Sequence, residues 1–409
     1  MRLCFSVFLL AVLPAWIPAA ANVPPTTSLN PSDNAALYYF RAFDVRDGID
    51  AINKSAQLAD HVWDLPLDKT TQQNLRACRP VLQLLHLGSQ MPYCNWGHRV
   101  PVSEWGSVAL PELSSSRSIA GVALLDVRLL WSQQHFEKAA QRVQDVFILA
   151  HRIGKDGTLM GALVGSSIYS GAIQMIASHI ATLPKAALSA MQAALIQTPT
   201  PNFLVHAMLV NYRHRLDHLH QMTLAGQSRR LQSFWRVVWI WEINNKAGKP
   251  PTAKNPPVPP MPVDFRRQLQ AAIPEMERCK ERIAAIRRQV VPQLLDTLKK
   301  IRDQDGEFRR SRNVVLRFES ISHSASILGL NYRSIIHMSA LRAAIAYRLG
   351  GRPAFNKIKD PFGPGPFTLK WQPDQLLICS HFGDAVLKDI PPKFKSGSEL
   401  IIPLHLPHR

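Results

Sequence analysis

From Ser118 to Leu224 the chain repeats one pattern: apolar residues at three- and four-residue spacing, a glycine or proline, then another such run. Ile119, Val122, Leu125, Val127 and Leu130 form the first run, and Phe136, Ala139, Ala140, Val143, Val146, Phe147 and Ala150 the second, with Gly154 as its C-terminal stop. A third run, rich in small residues, extends from Thr158 to Ala181 and ends before Pro184. A fourth occupies Ala186 to Ile196, and a fifth starts at Phe203 and continues toward Leu224. The spacing is helical, and strand-like alternation is lacking. Joints this short predict antiparallel neighbours, so the expected fold is mainly α: a solenoid of helical hairpins or an orthogonal bundle. No strict 34-residue repeat emerges, which argues against a tetratricopeptide array.

The N-terminal flank reads as an export signal over residues 1–21. Arg2 precedes an apolar run from Phe5 to Ile17, and Pro18 leads into Ala19, Ala20 and Ala21. That run falls short of the ~20 residues a membrane span needs, and later apolar stretches are interrupted; the nearest, Leu159 to Ile180, is broken by His179 and small polar residues. The expectation is an exported protein, periplasmic or extracellular, with no transmembrane segment in the mature chain. A helical domain follows over residues 22–243, where Ser32, Asp33 and Asn34 offer capping oxygens ahead of Ala35 to Phe40.

Residues 244–263 hold Pro250, Pro251, Pro256, Pro257, Pro259, Pro260 and Pro262, which predicts a proline-rich connector of extended backbone. Beyond it, residues 264–349 continue the helical body. Ile283, Ile286, Val290, Leu294, Leu298 and Ile301 share one stripe, Pro274 and Pro292 start or kink the helix, and a last helix runs from about Ser324 to Leu349. Residues 350–409 form a small C-terminal α/β module. Asp360-Pro361-Phe362-Gly363 makes a turn there, and Phe367 to Trp371 and Leu376 to Ser380 make a hairpin.

Composition enters through charge. The chain of 409 residues carries 48 Lys+Arg against 29 Asp+Glu, a formal +19. Doublets at Arg229-Arg230, Arg266-Arg267, Arg287-Arg288, Lys299-Lys300 and Arg309-Arg310 concentrate the excess in the second half. A cationic face on an exported protein fits anionic envelope polymers or lipid headgroups, and less readily nucleic acid, set against the plainer reading of a generally basic solvated surface. Trp235, Trp239 and Trp241 lie near one doublet and offer rings for stacking, although their spacing with Phe234, Val237, Val238 and Ile240 more simply describes a core-facing helix.

The chemistry-bearing residues are sparse. GxGxxG, Walker A, GxSxG and HExxH motifs are missing. His214 and His218 stand one helical turn apart with Asp217 between them and His220 beyond, so both imidazoles share a face and form the candidate metal pair, with zinc the metal implied. Of the four cysteines outside the signal, Cys78 and Cys94 enclose the shortest loop and are the candidate disulfide, set against free buried thiols. Cys94 also stands near His98, a thiol and an imidazole that nucleophilic catalysis could use, but packing or a disulfide is the plainer reading. Glu104, Glu112 and Asp126 have no spacing that marks a catalytic pair.

Several short motifs carry a resemblance. Tyr38 to Phe43, Cys94-Asn95-Trp96-Gly97, Ala150 to Gly154 and Leu159 to Gly165 are similar to segments of uncharacterised secreted bacterial helical proteins. The tail, with Ala343 to Arg348, Gly351-Arg352-Pro353, Asp360 to Gly363 and Gly383-Asp384, resembles type II secretion pseudopilins over about fifty residues. The long N-terminal helix by which pseudopilins assemble is not found. Neither resemblance implies an activity. The function expected is therefore a non-catalytic scaffold or binding protein of the cell envelope, contacting envelope proteins or anionic polymers through a basic face; the alternative is an envelope hydrolase with its metal at His214 and His218.

Overall fold

The computed structural model describes residues 30–45, 47–56, 61–97, 110–224, 258–286, 324–373, 375–381 and 399–403, together with parts of 231–239 and 297–316. The expected export signal, most of the proline-rich connector, His98, Glu104, Trp241, Gly383-Asp384, the doublets Arg229-Arg230 and Arg287-Arg288, Lys299, Arg309, and Val290, Pro292, Leu294 and Leu298 of the expected stripe lie outside the described residues.

The fold is mainly α. Among the described residues, four α-helices precede the periodic region: α1 (Ala35–Asp44), α2 (Asp47–Ser55), α3 (Lys69–Ala77) and α4 (Arg79–Gln90). Asn34 caps α1, its side chain accepting from the Ala36 N–H at 3.2 Å, and Asp68 caps α3 by accepting from the Thr71 N–H at 2.7 Å. Hydrogen bonds from the Thr71 and Thr70 amides hold the Asp68 carboxyl below its ordinary range.

The periodic segment then folds as α5 (Pro111–Ser132), α6 (Phe136–Gly154), α7 (Leu159–His179), α8 (Lys185–Gln197) and α9 (Phe203–Thr223). The boundaries follow local chemistry. Pro111 occupies the first turn of α5, which starts seven residues before Ser118, and the Thr158 hydroxyl accepts from the Gly161 N–H at 2.9 Å to start α7. Gly157 adopts φ 90° in the α6–α7 joint, a conformation that suits a residue without Cβ.

Helix α6 is the hub, packing against α4, α5, α7, α8 and α9. Its crossing with α7 is unusually close: a Cβ on Gly165 would stand 2.5 Å from the Ala150 carbonyl oxygen and 3.0 Å from the Gly154 backbone. Val143, Val146, Phe147, Leu149, Ala150 and Ile153 of α6 are fully buried. Helix α7 has the length and hydropathy of a membrane span, yet 67% of its most apolar window is buried inside the bundle. Its all-round apolar surface is what a central helix of a large core requires.

Among the described residues, two long helices pack on this body. α10 (Phe265–Ile286) packs on α9 and contains Pro274 within its length; α11 (Ser324–Phe355) packs on α7, α8 and α9. Gly350 and Gly351 depart from helical dihedrals inside α11, so its final turn is a separate segment beyond the expected end at Leu349.

The tail has three strands where the sequence suggests two: β1 (Thr368–Gln372), β2 (Gln375–Cys379) and β3 (Glu399–Pro403), antiparallel in the order β1-β2-β3. β3 joins from further along the chain and packs on α7 and α11, which ties the sheet to the helical body. The Asp360 carboxylate is buried and accepts from the Ser380 hydroxyl at 2.9 Å, the His381 N–H at 2.7 Å and the Phe362 N–H at 3.1 Å. The expected Asp360-Pro361-Phe362-Gly363 turn is thereby pinned to the end of β2.

Candidate functional site

The most connected polar group is Asp145, 1% exposed on α6. It accepts from the Ser89 hydroxyl at 2.6 Å, the Gln141 amide at 3.2 Å, the His86 ring at 3.1 Å and the Arg142 guanidinium at 3.5 Å. The amide nitrogen of Gln90 lies 2.9 Å from His86 Nε2, so Nε2 accepts and Nδ1 carries the proton given to Asp145. An acid-oriented imidazole is half of a general-base arrangement. The serine, however, is held on the carboxylate and not on Nε2, so the cluster as folded fastens α4 to α6. Arg142 extends it, donating to Asp126 at 3.1 Å and to the Leu82 carbonyl at 2.7 Å. Burial raises the Asp126 carboxyl, with Arg142 opposing that shift.

Four other arginines are spent on carbonyl groups at helix ends, where the last turn leaves acceptors unpaired. Arg152 donates to the carbonyls of Gly88, Ser89 and Met91 at the end of α4 and to the Tyr39 hydroxyl. Arg348 takes Ile180, Ala181 and Leu183 past α7, Arg342 takes Leu195 and Thr198 at the end of α8, and Arg128 takes Trp63 and Leu65. Burial lowers the Arg128 and Arg342 guanidinium pKa values, and a guanidinium stays charged regardless.

Other arginines are exposed, on segments that pack near the first turn of α10. Arg266 and Arg267 follow buried Phe265. Asn313 donates to the Gln268 carbonyl at 2.6 Å, bringing the 311–313 turn alongside, with Arg310 and Arg312 exposed on either side of Ser311. Trp235 packs on Phe265 at 5.1 Å between ring centres, and exposed Arg236 follows it. Three separate segments therefore contribute five exposed guanidinium groups, against exposed Asp264 and Glu307 nearby. The positive end of the helix dipole adds to the same field.

The residues singled out in the sequence fall as follows. His214 and His218 both lie half-buried on α9, and the His218 ring meets Phe234 edge-on at 5.7 Å. His220 bonds the Leu216 carbonyl at 2.9 Å. Among the described residues, no group of three or more His, Cys, Asp or Glu side chains is placed to hold a metal. Cys78 and Cys94 are free thiols and stand at opposite ends of the 12-residue α4, which at ~1.5 Å per residue is about 18 Å long, well beyond disulfide reach. Burial pushes the thiols up to about 11 for Cys78 and about 12 for Cys94. Trp235 is 6% exposed and donates to the Pro259 carbonyl at 3.0 Å, while Trp239 lies 5.8 Å from it, so both serve the core rather than an open stacking platform.

Sequence reading missed the Asp145 cluster and the arginine caps, because the bonds that join separate helices span more than fifty residues and leave no local motif. Comparison with known protein families, with curated proteins and with solved structures finds no match to this chain.

Proposed function

We propose that the protein is an exported, non-catalytic binding protein of the cell envelope that holds anionic polymers on the arginine face at the start of α10. The observation that carries this reading is that Arg236, Arg266, Arg267, Arg310 and Arg312 are all exposed, on three segments that Trp235 and Asn313 pack against the start of α10. Guanidinium forks match phosphate and carboxylate groups bidentately, which makes such a cluster more selective than an equal number of lysines. The signal-like pattern of residues 1–21, Arg2 before an apolar run and Ala19-Ala20-Ala21, supports the location.

Retention on a phosphate-rich polyanion matrix, followed across salt concentration, tests the reading. Five neutralised anionic groups give a slope of about −4 in log affinity against log salt, and each arginine removed lowers it by about 1. Arg266→Ala with Arg267→Ala is expected to remove about 2 from the slope. Release at modest salt with no change in that variant would leave generic charge only and sink the proposal.

A further inference from the structure

A second surface feature has the opposite chemistry. Between α2 and the first turns of α5 lies a half-open cleft of about 180 Å³, lined by Asp50, Asn53, Ser114, Ser115 and Ser118, with Phe43, Ile49 and Ile119 as its apolar floor. The helices explain the lining. Asp50 and Asn53 are three residues apart on α2, and Ser114 and Ser118 four apart on α5, so each pair shares a face. Asn53 donates to the Ser118 hydroxyl at 3.3 Å, which fixes the carboxamide and leaves its oxygen as an acceptor.

The polar groups elsewhere contrast with this. Asp145 and Asp360 are surrounded by donors from the protein itself. Among the described residues, by contrast, the Asp50 carboxylate and the Ser115 hydroxyl make no hydrogen bond or ion pair. Lys54 and Arg117, the neighbouring cations on these helices, are exposed and do not line the cleft. Asp50 brings two carboxylate oxygens and Asn53 one amide oxygen, while the serine hydroxyls can both donate and accept.

Size narrows the occupant. The volume is well below the ~300 Å³ at which drug-sized pockets begin. One ring fits, with its C–H face on the apolar floor. We propose that the cleft binds a single hydroxylated ring bearing an ammonium group, an amino sugar in chemical class, with Asp50 taking the ammonium and Asn53 and Ser115 the hydroxyls.

The test uses the full chain and saturation-transfer NMR with D-glucosamine, N-acetyl-D-glucosamine and D-glucose as probes. D-Glucosamine is expected to give a saturable signal in the millimolar range, about tenfold tighter than either uncharged sugar. Asp50→Asn is expected to abolish that preference, and Ser115→Ala to weaken all three probes alike. Both side chains are at the cleft surface, and an unchanged thermal midpoint confirms the variants fold. The Arg266→Ala, Arg267→Ala variant is expected to bind like the parent, separating this site from the arginine face. Lack of a saturable signal up to about 50 mM, or a preference for D-glucosamine that survives in Asp50→Asn, overturns the proposal.

Discussion

His151 gives the most direct handle on the interior. Its ring sits half-buried on α6, edge-on to Phe203 with 6.1 Å between ring centres, and among the described residues its buried Nδ1 has no hydrogen-bond partner. Burial first, then the positive charges of Lys155 and Arg152, depress its pKa from 6.5 to about 4. The folded value lies below the unfolded one, so between them the unfolded chain binds the extra proton. Stability therefore falls as pH drops through 6.5 and levels off once pH passes about 4. At ~1.4 kcal/mol per pH unit, the gap sets a ceiling of roughly 3 kcal/mol, and solvent screening of a half-buried ring reduces this to roughly 1–1.5 kcal/mol. Urea unfolding followed by tryptophan fluorescence, at about pH 7.5 and about pH 4.5, measures it in the parent and in His151→Phe. The phenyl ring keeps the contact with Phe203 and does not titrate. Carboxylates that titrate in both proteins cancel in the comparison, so the variant is expected to lose about 1–1.5 kcal/mol less on acidification. Equal losses in the two proteins would refute the reasoning.

Gly165→Ala gains about 1 kcal/mol of helix propensity but drives a methyl onto the Ala150 carbonyl 2.5 Å away. The overlap costs about 1–3 kcal/mol, so a net loss is expected by chemical denaturation. Arg152→Met strips partners from the Gly88, Ser89 and Met91 carbonyls and is expected to cost about 3 kcal/mol. Arg152→Lys is expected to recover less than half, since an ammonium cannot span three acceptors in a plane. Maleimide labelling of the unfolded protein without reductant is expected to count Cys78, Cys94, Cys279 and Cys379 as thiols, while buried Cys78 in the native protein reacts slowly at neutral pH.

Helices α6 to α9 were legible in the sequence because strong apolar periodicity coincides with stop and start signals at Gly154, Thr158 and Pro184. α3 shows why others were not. Its sequence KTTQQNLRA buries only Thr71 and Leu75, too thin a stripe to stand out from a loop. β3 escaped for a different reason: it earns its place through pairing with β2 across a long stretch of chain, a non-local cause. Of the arginine doublets read in the sequence, Arg266-Arg267 is the one on which the proposed face rests. The Asn313 bond that brings Arg310 and Arg312 alongside it depends on tertiary packing alone.

The carbonyl-capping arginines divide the cationic side chains into two reactive pools. A guanidinium must leave its acceptors before an α-dicarbonyl such as phenylglyoxal can attack both of its nitrogens. Arg152 and Arg342 are thus shielded by the helix ends they close, whereas Arg266 and Arg267 are open to reagent. The fast phase of such a modification would count the guanidinium groups actually offered to a partner, fewer than the arginines in the sequence and a number that a bound polymer would reduce further.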